Sequence, residues 1–238
     1  MQRHAGSMPP CPKESFLPKL SPHFLQLPRV LALLLLLQMH GWTLAHAGGD
    51  MVRNEHSPTE RLQAWHKLIH DLAGASESQQ LQQVNHFFNT HIRYAEDIDL
   101  WGVSDYWASP EETIERGAGD CEDFALAKYF TLRQLGVAPE HLRLLYTTLA
   151  GNGQAHMVLA YWPTPQHEAL VLDNLDADLT PVLQRQDLRI QFAFDAQHLY
   201  KPEGETLRAI ADADLLPAWR TLLQRMTGAQ LSLAQLQP

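Results

Sequence analysis

The 238-residue chain predicts an α+β fold in which a helix carrying a nucleophile packs on an antiparallel sheet carrying its partners. Three observations lead there. Helix-start signals and helically spaced apolar residues fill the stretch from Ser57 to Gly136. Short β-rich runs divided by turn sequences replace them beyond Pro139. At the boundary, the glycine-rich turn Gly117-Ala118-Gly119 opens directly into an apolar helix.

The elements follow in order. Ser57-Pro58-Thr59-Glu60 and Ser109-Pro110-Glu111-Glu112 each supply a hydroxyl N-cap, a proline at the first helical position and a glutamate three residues after the cap. The first helix is expected to reach about Leu72, with Leu62, Trp65, Ile69 and Leu72 on one face. A second, from about Ser78 to Tyr94, places Leu81, Val84, Phe88 and Ile92 at helical spacing. Both read as packing helices. The short helix after Pro110 is expected to stop at Gly117, and another to run from Asp120 to Leu135 with Gly136 closing it. Leu142 to Leu149, His156 to Trp162 and Ala169 to Leu172 then read as antiparallel strands, divided by Gly151-Asn152-Gly153 and Pro163-Thr164-Pro165. Leu188 to Phe194 reads as a further strand and Leu215 to Met226 as a closing helix. The aromatic stretch Leu100 to Trp107 reads as core packing in preference to the wall of a peptide groove.

The first 47 residues read as a secretory signal peptide. Arg3, Lys13, Lys19 and Arg29 lead into the apolar run Val30 to Leu37, which is followed by Ala45-His46-Ala47. That run is about half of the ~20 residues needed to cross a bilayer, so cleavage after Ala47 is expected and stable membrane insertion is not. Residues 48–238 then form a single domain, and Cys11 leaves with the leader. Cleavage leaves 14 basic residues against 26 acidic ones, a net charge of −12. So acidic a chain is a poor partner for nucleic acid or anionic membrane, both of which are bound through Lys and Arg. It suits an exported protein that meets divalent cations.

One cysteine remains after cleavage, Cys121, in Gly117-Ala118-Gly119-Asp120-Cys121-Glu122-Asp123-Phe124. At the first turn of a helix, unpaired backbone N–H groups and the helix dipole favour thiolate over thiol. His156 opens one expected strand and Asp173 ends the next, so a hairpin would set them side by side at one sheet edge facing the Cys121 helix. In that arrangement His156 takes the sulfur's proton and later delivers it to a leaving amine, Asp173 fixes the imidazole tautomer, and the Cys121 N–H supplies half of an oxyanion hole. A buried packing cysteine, a structural histidine and a turn-forming Asp173 are the plainer alternatives.

Asp120, Glu122 and Asp123 put three negative charges beside a sulfur that must itself become negative, which raises a thiol's pKa. A hard cation cancels that effect. Carboxylate oxygens with no cysteine or histidine pair at metal spacing point to Ca²⁺ over Zn²⁺. The competing reading is that Asp120 caps the helix while Glu122 and Asp123 favour its first turn.

Val84 to Asn89, Asp97 to Gly102, Asp105 to Ala108, Gly117 to Leu135, Ala155 to Leu159 and Val171 to Leu175 together resemble the bacterial transglutaminase-like cysteine proteinases of the LapG adhesin-protease type. The likeness covers about residues 56 to 200. It implies a papain-like/transglutaminase-like core with Cys121, His156 and Asp173 as its triad. It also implies Ca²⁺ dependence through Asp120 and Glu122, with Asp123 a weaker carry-over. The family implies a periplasmic endopeptidase that cleaves the N-terminal region of a large surface adhesin, releasing it and dispersing biofilm. The regulator implied is an inner-membrane cyclic di-GMP receptor that sequesters the enzyme. The leader of about thirty residues before the apolar run is longer than the family's pattern. Two other classes stand beside this reading: a transglutaminase or protein-glutamine deamidase using the same triad, and a non-catalytic binding module on the same fold.

Overall fold

A computed structural model describes residues 56–164, 167–204 and 206–235. The leader and Cys11 lie outside those residues. Among the described residues no helix is long and apolar enough to cross a membrane.

Helices α1 (Pro58–Leu72) and α2 (Glu77–His91) come first, each opened by a reciprocal capping box. In α1 Ser57 and Glu60 form the box. In α2 the cap is Ser76 with Gln79, so the helix starts one residue before the expected Ser78. It also ends earlier than expected. Ile92 is already extended, and Arg93–Tyr94 form a short strand, β1, parallel to β2 (Ala118–Gly119). Arg93 N–H donates to the Gly117 carbonyl at 3.0 Å and Ala95 N–H to the Gly119 carbonyl at 2.9 Å. That ladder pins the chain after α2 against the turn before the cysteine, and α3 (Asp97–Trp101) starts immediately beyond it.

Helix α4 (Pro110–Arg116) has the expected Ser109–Glu112 box and ends at Gly117, whose φ of 63° favours a residue without a side chain. Helix α5 (Cys121–Gln134) is buried from Cys121 through Tyr129 and packs on β3 (Leu142–Leu149) and β4 (Ala155–Tyr161). Its buried face includes Glu122, Asp123 and Lys128 beside the apolar residues, so it is enclosed on most sides. Here α2 and α4 lie against it, and Phe124, Leu126, Ala127 and Leu132 join the main core.

The sheet has seven antiparallel strands in the order β6-β5-β4-β3-β7-β8-β9. Strands β5 (Leu170–Leu172) and β6 (Thr180–Pro181) flank β4 on one side, and β7 (Leu188–Phe194) pairs with β3 on the other. Strands β8 (His198–Glu203) and β9 (Thr206–Asp212) form a hairpin that the sequence reading does not contain. Their residues are mostly exposed, so little apolar alternation marks them. The last helix, α6 (Pro217–Gln235), starts just after the expected position and seats Trp219 against Phe130 and Phe194.

The aromatic stretch divides. Trp107 is buried and stacks on Phe194, as core packing requires, whereas Trp101 and Tyr106 are only half-buried and stack on each other beside the Arg116 guanidinium.

Candidate active site and acidic cluster

Cys121 is the first residue of α5, and Asp120 is its extended N-cap. The close turn depends on Gly119, because a Cβ there would sit 2.7 Å from both Cβ and Oδ2 of Asp123. Phe124 N–H reaches back to the Asp120 carbonyl, leaving the first-turn N–H groups pointing out of the helix end beside the sulfur.

His156 lies one residue inside β4, and Asp173 follows the last residue of β5. Antiparallel pairing of β4 with β5 brings these two ends together, two strands in from the sheet's end at β6. His156 Nε2 is 2.8 Å from Asp173 Oδ1, with both residues buried. Asp173 is heavily furnished with donors. Oδ1 also accepts from Leu175 N–H at 2.9 Å, and Oδ2 accepts from Arg185 Nη2 at 2.7 Å. Burial pushes this carboxyl up, but the His156 bond, the Leu175 amide and the Arg185 charge outweigh it and hold Asp173 below the usual carboxylate range. Helix α2 fastens the same loop from another side, since Asn89 Nδ2 donates to the Asp173 carbonyl and Asn85 Nδ2 to that of Ala177.

The acids around the cysteine separate into two environments. Asp97, Asp120 and Glu122 each bring one carboxylate oxygen within 4.8 Å of the others, and all three are buried. Asp123 is not in that group: its Oδ1 accepts the Ala108 N–H at 2.8 Å, so it ties the start of α5 to the segment leading into α4. Asp97, absent from the expected metal set, joins Asp120 and Glu122 in the group. Its only sequence signal is membership of the Asp97 to Gly102 stretch. It reaches Asp120 because the β1–β2 ladder lays Ala95 alongside Gly119, one residue before Asp120.

The helix-cap explanation of Asp120 does not hold, because its side chain makes no capping hydrogen bond. Both of its oxygens, and Asp97 Oδ1, are buried with no hydrogen-bond partner. Burial and mutual repulsion push Asp120 far above the carboxylate range, burial with the help of neighbouring acids lifts Glu122 to about 8, and burial lifts Asp97 to about 6. Buried carboxylate oxygens converging from three residues, those of Asp120 and Oδ1 of Asp97 without a hydrogen-bond partner, are the donor set a hard divalent cation takes, so these residues fit such an ion. Cys121 Sγ lies 3.1 Å from Glu122 Oε2, which couples the cluster directly to the sulfur.

A nucleophile is expected to meet solvent, yet Cys121 is 1 % exposed and His156 3 %.

A cysteine at a helix N-terminus, on a helix packed against a sheet that presents a paired histidine and carboxylate, is an arrangement of papain-like and transglutaminase-like thiol enzymes. Within that class, residues 61–191 match the family model described as bacterial transglutaminase-like cysteine proteinase, and the chain belongs to that family. Solved structures of Legionella pneumophila LapG are similar to it. An EGTA-treated form is 40% identical, with 71% of this chain and 89% of that chain covered and a TM-score of 0.64. A calcium-bound form is 39% identical, with 72% and 92% covered and a TM-score of 0.63. No curated protein matches.

Proposed function

We propose that this chain is a calcium-dependent periplasmic endopeptidase that cleaves the N-terminal region of a large surface adhesin, releasing it and dispersing biofilm under the control of an inner-membrane cyclic di-GMP receptor. The observation that carries the catalytic part is the buried His156–Asp173 pair at the sheet ends, with Cys121 at the start of the helix packed against that sheet. Family membership supports a cysteine protease. The LapG likeness, with its calcium-bound form, supports the metal. The address rests on the signal peptide read from the sequence, and the adhesin and receptor rest on the family resemblance.

Each residue has a distinct task. Nε2 of His156 is occupied by Asp173, so Nδ1 is the ring nitrogen that takes the sulfur's proton. The Cys121 sulfur attacks the scissile carbonyl, and the oxyanion meets the backbone N–H of Cys121. The amine then leaves with the proton held by His156, and water hydrolyses the thioester. Asp173, anionic and triply bonded, holds the ring and supports the imidazolium. Asp97, Asp120 and Glu122 would hold Ca²⁺, whose charge offsets the acids that otherwise oppose thiolate formation.

The test is incubation of the reduced protein with the N-terminal region of a candidate adhesin, followed by mass spectrometry. Backbone cleavage that disappears with Cys121→Ala and with EGTA is the expected outcome. An intact backbone with a modified glutamine side chain would replace the protease by a transglutaminase or deamidase. Function retained in Cys121→Ala would leave only a binding module.

A further inference from the structure

We infer that Arg185, clamped by Asp187, is a positioning residue that locks the Asp173 carboxylate in register with His156. The inference rests on the proposed thiol-enzyme function and adds a fourth and a fifth member to its site.

Arg185 follows the short 3₁₀ turn Val182–Gln184 and is 7 % exposed. Its Nη2 donates to Asp173 Oδ2 and to Asp187 Oδ2, each at 2.7 Å, while Nε donates to Asp187 Oδ1 at 2.9 Å. Asp187 therefore grips the guanidinium in two-point fashion and fixes its plane. The backbone is pinned as well, because Ala150 N–H donates to the Asp187 carbonyl at 2.7 Å and Leu188 N–H to the Arg185 carbonyl at 3.0 Å.

The consequence for Asp173 is geometric. His156 and the Leu175 amide hold one oxygen and Arg185 holds the other, so the carboxylate cannot turn without breaking bonds at both ends. Charge explains why two residues are needed. Arg185 alone would neutralise Asp173 and weaken its support of an imidazolium. Asp187, whose side chain is about half exposed, balances that cation and leaves the Asp173 charge for His156. Nothing in the spacing Arg185-Gln186-Asp187 announces this role, since the pair meets Asp173 only through the chain's return from β6 to β7.

The experiment uses the reduced protein in excess calcium and two readouts. One is the rate at which iodoacetamide alkylates Cys121, followed by peptide mass spectrometry. The other is the ¹⁵N signature of the His156 ring in a Cys121→Ala background, at a pH where the ring is neutral. The parent should show the Nε2–H tautomer alone. Arg185→Ala should slow alkylation about tenfold or more and admit the Nδ1–H tautomer. Low-millimolar guanidinium should recover part of the rate in that variant without changing the parent. Arg185→Lys and Asp187→Asn should fall between, and they carry the test if Arg185→Ala fails to fold. Parent-like alkylation and an unchanged tautomer in these variants would overturn the inference, as would a loss of rate that neither guanidinium nor lysine restores. If Cys121 of the parent reacts no faster than an ordinary cysteine, the thiol-enzyme reading fails instead. The tautomer readout, which needs no nucleophile, still decides the role of Arg185.

Discussion

Asp120 and Asp173 are both almost completely buried, and they are driven in opposite directions. Asp173 has a donor on each oxygen and is held below the carboxylate range; Asp120 has a donor on neither and is pushed far above it, with Asp97 and Glu122 crowding it. Burial alone raises both, so the difference lies in what each carboxylate meets. One half of the site brings its own cations and amides. The other half leaves oxygens for a cation that the chain does not supply.

The sharpest way to break that contrast is to remove the satisfied member. Asp173→Asn keeps the shape but offers His156 Nε2 the wrong partner, and it is expected to cut peptidase turnover by about 10²–10⁴-fold with the fold retained by circular dichroism. Asp173→Ala is expected to unfold more readily, because it removes the acceptor of the His156, Leu175 and Arg185 bonds, read as a lowered Tm.

The unsatisfied member should respond to metal and to pH. In EGTA, Glu122 at about 8 and Asp97 at about 6 bind protons more tightly folded than unfolded. Their contribution to stability is therefore complete at low pH and lost as pH rises through those values. Asp173 runs the other way: its contribution is present above its unfolded pKa and lost as pH falls below it. The metal-free protein should melt highest near mild acidity and lower toward pH 8. Saturating calcium should remove that decline, adding about 3 kcal/mol at a hundredfold excess over Kd. Asp120→Asn should raise the melting temperature in EGTA and abolish the calcium response. A calcium response that survived in Asp120→Asn together with Asp97→Asn would place the ion elsewhere.

Lys128 gives a smaller, mirror-image effect on the same helix. It is fully buried, its Nζ has no hydrogen-bond partner, and burial lowers its pKa to about 7 against the pull of Asp173. The unfolded chain holds that proton up to about pH 10, so the lysine's destabilisation is full below pH 7 and fades as pH rises. Lys128→Met is expected to raise stability by a few kcal/mol at pH 6 and by less at pH 9, measured by denaturant unfolding. The smallest expected change is Asn89→Ala, which frees the Asp173 carbonyl from α2 and should cost about 1 kcal/mol while slowing Cys121 alkylation only modestly.

Much of this was legible in the residues. The Ser57, Ser109 and Gly117 signals act within one turn of chain, so α1 and α4 start and α4 stops where the pattern says. Cys121, His156 and Asp173 were legible because a glycine turn, a strand start and a strand end are local features. Strand pairing then carried two of those ends to one place. Asp97 was not legible as a partner of Asp120, since 23 positions separate them and only the β1–β2 ladder closes that gap. Asp123 stands apart from the Asp97–Asp120–Glu122 group for a related reason. Adjacent helical positions point in different directions, so Asp123 found the Ala108 amide while Glu122 found the cluster. The β8–β9 hairpin was missed because its exposed faces carry no apolar alternation.

By itself the sequence determined the α+β class, the helix starts, the cysteine at a helix N-terminus and the excess of acid around it. All of these depend on residues within a few positions of one another. Tertiary structure alone decided which carboxylates are satisfied and which are left open. A buried oxygen's state depends on donors brought in from distant segments, Arg185 and Asn89 for Asp173 and none among the described residues for Asp120, and only the folded chain assigns them.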